Sequence, residues 1–170
     1  MTYSIVLFPN KEVQERANSY RKRYDPTYAL IPPFIRLKES FTTDENELKK
    51  IKAHLQEVAS NTSPFSLTFH RVSTFHPTTN VIFLSFQNKE IVENVHNKVL
   101  SCFNSHQEEF IFVPHLTIGR DLSDGELKDV VGRLSMMNIN ETSSFTQIHL
   151  IKQHDEGRWK IEQSFDLTGE

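Results

Sequence analysis

The chain repeats itself once, at an offset of about eighty residues, and that repeat restricts the folds open to it. Phe8-Pro9-Asn10-Lys11-Glu12-Val13 is matched 78 residues later by Phe86-Gln87-Asn88-Lys89-Glu90-Ile91. Pro33 is matched by Pro114 at 81, and Glu47-Leu48-Lys49 by Glu126-Leu127-Lys128 at 79. Leu55 and Leu134 then follow at the same distance within each copy. Such near-constant spacing points to two copies of one βαβαβ-like unit, a repeat of a whole lobe rather than a short solenoid period. With 170 residues there is room for one substantial core or two small fused lobes.

The repeat gives meaning to an otherwise weak triplet. Val113-Pro114-His115-Leu116-Thr117-Ile118 corresponds to Pro32-Pro33-Phe34-Ile35-Arg36-Leu37. Read as strands, both segments send alternate side chains to opposite faces. His115 and Thr117 then share one face, and Leu116 and Ile118 the other. In the early copy Ile35 and Leu37 keep the apolar face, while Phe34 and Arg36 stand where the histidine and threonine would be. The scaffold is retained in both copies and the reactive pair in one.

Local signals fill in the rest. A strand is predicted over residues 3–8, then a helix capped by Asn10 and stopped near Tyr24 by Asp25-Pro26. Pro32-Pro33 opens an extended segment, since proline lacks a ladder donor and favours a strand start. Thr42-Thr43-Asp44-Glu45 caps a helix ending near Ser60, and strands follow up to Phe75 and over 81–86. In the second copy Asn88 caps a helix to about Phe103, residues 110–120 are extended, and Ser123-Asp124-Gly125-Glu126 forms a capping box. Residues 145–153 and 159–167 read as a hairpin across Asp155-Glu156-Gly157. The expected organisation is one domain, 1–170, built from lobes of about 1–76 and 77–170, with strand exchange between them left open.

Composition narrows the function. A net charge of −3 and a pI near 6.2 argue against a broad footprint on long nucleic acid. The longest apolar runs are strand-sized, so no membrane span is expected, and no secretory signal is visible. A cytoplasmic location is the default. The single cysteine, Cys102, leaves no internal disulfide, and no metal-ligand cluster or glycine-rich phosphate loop appears. Neither a metal nor another cofactor is expected.

At these motifs the chain resembles the two-histidine (2H) phosphoesterase superfamily, which includes 2′-5′ RNA ligase-like proteins, cyclic phosphodiesterases and a branch of small bacterial phosphoesterases. Ser19-Tyr20-Arg21-Lys22-Arg23-Tyr24-Asp25-Pro26 and Phe112-Val113-Pro114-His115 look particularly like that small branch. The resemblance implies an α+β fold of two pseudo-symmetric lobes, with two antiparallel sheets lining a central cleft and helices outside. It also implies a pair of His-x-Thr/Ser motifs facing each other. Two imidazoles can take a proton from the attacking oxygen and give one to the leaving oxygen, while the hydroxyls donate to phosphate.

This chain departs from the pattern at its first motif. Phe34 occupies the histidine position and cannot transfer a proton; Arg36 occupies the threonine position. Losing one of two acid/base partners lowers a rate by roughly 10²–10⁴-fold. Arg36 still suits a phosphate, and Phe34 suits a base or ribose face. Against this stands a dead cleft plugged by Phe34, with Arg36 paired to a carboxylate. The resemblance therefore implies His115 and Thr117 as catalytic residues, with Arg36 and Phe34 contacting ligand and Arg21 and Arg23 as candidates at the cleft edge; the alternative for the basic run Arg21-Lys22-Arg23 is that it complements the C-terminal end of a helix dipole. The expected ligand is a small phosphorylated nucleotide or an RNA terminus with a cyclic phosphate or 2′-5′ linkage. The alternative function is an inactive phosphate-binding or regulatory module. His76, in a turn, is a candidate substitute for the lost group. His70 and His149 read as half-buried sheet positions, and His54, His96 and His106 as surface residues.

Overall fold

The computed structural model describes residues 1–103 and 111–170. In chain order they form β1 (Thr2–Leu7), α1 (Lys11–Tyr24), β2 (Ile35–Thr42), α2 (Glu45–Ser60), β3 (Phe65–Thr74) and β4 (Ile82–Phe86). There follow α3 (Lys89–Leu100), β5 (Leu116–Gly119), α4 (Asp124–Leu134), β6 (Glu141–Phe145), β7 (Gln147–Gln153) and β8 (Trp159–Asp166). The strands make two antiparallel four-stranded sheets, ordered β2-β1-β7-β8 and β5-β4-β3-β6. The α+β class with two antiparallel sheets is the one expected.

The two sheets are interlocked rather than laid end to end. Helix α1 leaves β1 of the first sheet and packs on β5 and β6 of the second. Helix α3 leaves β4 of the second sheet and packs on β2 of the first. Helices α2 and α4 complete the cover, on β7 and β8 and on β3 respectively. Ile5, Leu7, Ile35 and Leu37 enter the main core under these helices. Val6 and Ile151 instead join a small cluster with Ile31, Phe8, Phe34 and Trp159. The period of two in each strand separates these sets.

The helix starts at Asn10 and Ser123 are fixed as their sequences suggest, whereas the capping-box pattern of Thr42-Thr43-Asp44-Glu45 is replaced by a simple cap at Asp44. Asn10 accepts from Val13 N–H at 3.0 Å, and Asp44 from Glu47 N–H at 2.8 Å. Ser123 and Glu126 bond reciprocally in a capping box, at 3.2 and 3.1 Å. Asn88 departs from this scheme: it adopts φ 61 and makes no side-chain cap bond. Asparagine tolerates that left-handed backbone, so the matched Asn10 and Asn88 serve different ends. The extended segment predicted over 110–120 is a strand only at Leu116–Gly119, and Phe110 and His106 lie outside the described residues. The strand predicted over 145–153 is β7, while Phe145 ends β6, a strand the sequence did not suggest, and Thr146 lies between them where the chain passes from one sheet to the other.

A buried carboxylate ties α1 to the end of β5. Asp25, with a side chain 0% exposed, faces Arg21 at 3.3 Å and Arg120 at 3.1 Å. It also accepts from Thr27 N–H at 2.9 Å and Thr27 Oγ1 at 2.7 Å. Each of the two terminal nitrogens of Arg21 also donates, to Asn18 Oδ1 and to Ile31 O, both at 2.7 Å. The placement of Arg21 at a ligand-facing edge is therefore corrected: its side chain is 1% exposed and fully engaged inside the protein. Burial of a guanidinium demands such partners. Asp25→Ala is expected to lower the unfolding free energy by about 3–5 kcal/mol, because it strands the Arg21 charge. Arg23→Ala, at an exposed position, should change it by no more than about 0.5 kcal/mol. Urea denaturation of the two variants checks both values.

Candidate functional site

The two matched segments enter edge strands, β2 of the first sheet and β5 of the second. Their burial patterns are the same. Pro33, Ile35 and Leu37 are buried, as are Pro114, Leu116 and Ile118, while Phe34, Arg36, His115 and Thr117 between them are half-buried. A cavity of about 400 Å³ is lined by these four residues together. Four of the six residues singled out from sequence thus meet. Its other walls include Phe75, Thr78 and Thr79 near the β3–β4 turn, His96 of α3, Phe112 and Arg120.

His115 is held in one tautomer. Its Nδ1–H donates to Val113 O at 2.6 Å, because a carbonyl can only accept. The lone pair of a neutral ring is then on Nε2. Phe75 and Phe83 meet the imidazole edge to face, at 4.8 and 5.1 Å between centroids. Burial pushes the His115 pKa below its ordinary value; the bond to Val113 opposes this, and the cations of Arg36, Arg120 and Lys89 reinforce it. The shift favours the uncharged ring, whose Nε2 is able to accept a proton.

Across the same cavity, Phe34 and Arg36 interact with one another. The Arg36 guanidinium lies 5.0 Å from the Phe34 ring centroid, a cation–π distance. The positive charge of Arg36 is felt at His115 across the cavity.

Arg120 was not singled out from sequence, yet it lines the cavity and is oriented by Asp25. Gly119 permits this approach, since a Cβ there would stand 3.2 Å from Tyr24 Cβ, and Arg120 N–H donates to Tyr24 O at 2.9 Å. A basic residue directly after a glycine at the end of the motif strand was the available signal. His96 was read as a surface residue and is instead 6% exposed and part of the cavity wall. Its spacing from Val92 and Val99, both buried on α3, already placed it on the inner stripe.

Other expected candidates fall elsewhere. Arg23 is exposed and borders a separate hollow with Tyr20, Tyr24 and Arg133. His76 is exposed, bonds Asn80 Oδ1 at 2.9 Å and is not among the cavity walls. His149 is buried against Ser164 Oγ at 2.7 Å and Phe8, whereas His70 is exposed. Among the described residues no group of three or more His, Cys, Asp or Glu could hold a metal ion, and no helix is long and apolar enough to cross a membrane.

A family model described as the 2′-5′ RNA ligase superfamily matches residues 9–157. The chain belongs to that superfamily. It is thereby a member of the two-histidine phosphoesterases, as its motifs suggested. A superfamily relative from Geobacillus sp. (strain WCH70), bearing the name "Putative phosphoesterase", is 42% identical over 169 residues, covering 99% of this chain and 98% of its own. Another of the same description, from Halalkalibacterium halodurans, is 39% identical over 170 residues, covering 100% and 99%. The crystal structure of E. coli LigT complexed with 3′-AMP superposes with a TM-score of 0.75 at 16% identity, covering 98% and 97% of the two chains. That of TT0787 from Thermus thermophilus gives 0.71 at 15%, covering 100% of each. At such identities the structural likeness is one of fold.

Three histidines with lowered pKa values set an acid limit on this superfamily member. Burial is the leading cause for His96, His115 and His149 alike. Unfolded, each takes up a proton near its ordinary value of about 6.5; folded, each resists until lower pH. Stability is therefore complete above about pH 6.5 and falls as the pH drops toward the folded values. Calorimetry should show the Tm falling over that range, with a shallower slope in His149→Gln. A Tm independent of pH there would contradict the assignment.

Proposed function

We propose that this superfamily member is a phosphodiesterase for small nucleotides or RNA ends bearing a cyclic phosphate or a 2′-5′ linkage, working with one of two acid/base groups lost. The observation that carries the reading is His115, locked through Nδ1 to Val113 O, in a cavity it shares with Arg36 and Thr117. In the proposed step His115 Nε2 takes a proton from the attacking water as its oxygen bonds to phosphorus. The bond from phosphorus to the leaving oxygen breaks, and solvent protonates that oxygen. Thr117 donates to a phosphate oxygen, and Arg36 supplies a permanent charge. Phe34 contributes contact area and no proton. A small ligand is supported by the LigT structures, which were obtained with 3′-AMP and with ATP.

The same reading treats 1–170 as a single duplicated domain. The equivalent places of β2-β1 and β5-β4 in their sheets support it, as does the exchange of strands between the halves. A second reading, a phosphate-binding or regulatory module, draws support from the Phe34–Arg36 stack, which offers binding without proton transfer.

Turnover assays with 2′,3′-cyclic nucleotides and short RNAs decide between them. Slow hydrolysis that disappears in His115→Ala is expected; saturable binding with no hydrolysis would replace the enzyme reading by the module. Phe34→His with Arg36→Thr should raise hydrolysis by about tenfold or more, the low end of what a second acid/base group supplies. No gain from that double change would contradict the pairing of the two copies.

A further inference from the structure

One imidazole touches both edges of the cavity. On one side His96 donates Nδ1–H to Leu37 O at 2.6 Å, directly after Arg36 in β2. On the other its ring lies flat on Phe112, with centroids 3.6 Å apart and planes 4° from parallel. Phe112 is three residues before His115, and its neighbour Val113 is the residue that accepts from His115 Nδ1–H. The contacts run without a gap: Leu37 O, His96, Phe112, Val113 O, His115.

The segment so held has few anchors of its own: Pro114 is buried next to β5, and the residues before it depend on the His96 stack. Residues 111–115 precede β5, whose ladder with β4 begins at Leu116. Ile111 is 92% exposed and Val113 is exposed as well, so neither anchors the segment in the core. Phe112 is packed against the core cluster, and the His96 ring is the flat surface under it. A polar ring among Val92, Val95 and Val99 is costly to bury unless it makes a hydrogen bond, and an aliphatic residue at 96 would pack without that need. The bond to β2 and the stack on Phe112 together account for an imidazole at this place.

We infer that His96 is a positioning residue, which clamps the segment carrying His115 to the β2 edge and so fixes the placement of His115 relative to Arg36. Its kinetic consequence rests on the proposed function; its structural consequence does not. With the clamp released, His115 opens to water and moves away from Arg36. Both changes raise the His115 pKa toward its ordinary value, since burial and nearby cations are what hold it down. The charges around the two rings are Arg36, Arg120 and Lys89 at His115, and Lys38, Glu39 and Glu93 at His96.

The test is an NMR pH titration of the His115 imidazole in the full chain, compared among the wild type, His96→Asn, Phe112→Leu and Phe112→Tyr. The asparagine amide keeps a donor for Leu37 O and loses the ring, whereas the tyrosine substitution keeps the stack. The expected result is an upward shift of the His115 pKa in His96→Asn and Phe112→Leu, no larger shift when the two are combined, and wild-type behaviour in Phe112→Tyr. Thermal melts identify which variants are folded. An unchanged His115 titration in the folded variants overturns the inference, whatever the activity. Assays with 2′,3′-cyclic nucleotide form the second arm, in which the two folded variants should lose about tenfold or more in kcat with little change in KM. An absence of wild-type turnover beside the expected titration shifts would sink the proposed enzyme and leave the clamp supported.

Discussion

Which side of two edge strands is dry decides everything at the cavity. Ile35 and Leu37 in β2, and Leu116 and Ile118 in β5, are all 0% exposed. Burying each is worth about 1.5–3 kcal/mol, so a slip of one residue in either strand would cost several kcal/mol and turn Arg36 or His115 into the core. Register is thus fixed by the apolar residues alone. The intervening positions, 34 and 36 in one copy and 115 and 117 in the other, face the cavity whatever they are. Phe34 and Arg36 therefore stand on the cavity side with no disturbance to the fold.

Interlocking adds the second constraint. Helix α1 begins beside the first sheet and covers the second, and α3 does the reverse, so neither sheet completes its core from neighbouring elements alone. Asp25 reinforces the crossing, since its carboxylate joins the end of α1 through Arg21 to the end of β5 through Arg120. His96 forms a comparable link from α3 to β2 and Phe112. Both links run from a helix of one lobe to a strand edge at the cavity. Fold and site are held by overlapping sets of residues.

Much of this was legible in the chain because period and caps are local. The alternation around Ile35-Arg36-Leu37 and Leu116-Thr117-Ile118 and the Asn10 and Ser123 helix starts need no tertiary knowledge, whereas the α+β class with two antiparallel sheets follows from the family resemblance. What escaped depends on distant partners. β6 is the serine-rich Glu-Thr-Ser-Ser-Phe, whose strand character comes from pairing with β3 rather than from propensity. Arg21 was read as a cationic edge because its partner Asp25 looked like a helix breaker rather than a buried counterion. Arg120 reaches the cavity only through the close passage of Tyr24 over Gly119. Asn88 matches Asn10 in sequence while its backbone enters a different conformation, which local sequence alone did not reveal.

The central claim is that His115 and Arg36 address one ligand from opposite edges. Titration of isotope-labelled protein with a nucleoside 3′-monophosphate, following imidazole and guanidinium resonances, tests it directly. The account predicts that His115 Nε2 and the Arg36 Nε–H shift together with a single affinity, while His149 stays unchanged. Saturable binding that moves His149 or the Arg23 hollow, and leaves His115 and Arg36 silent, would contradict it.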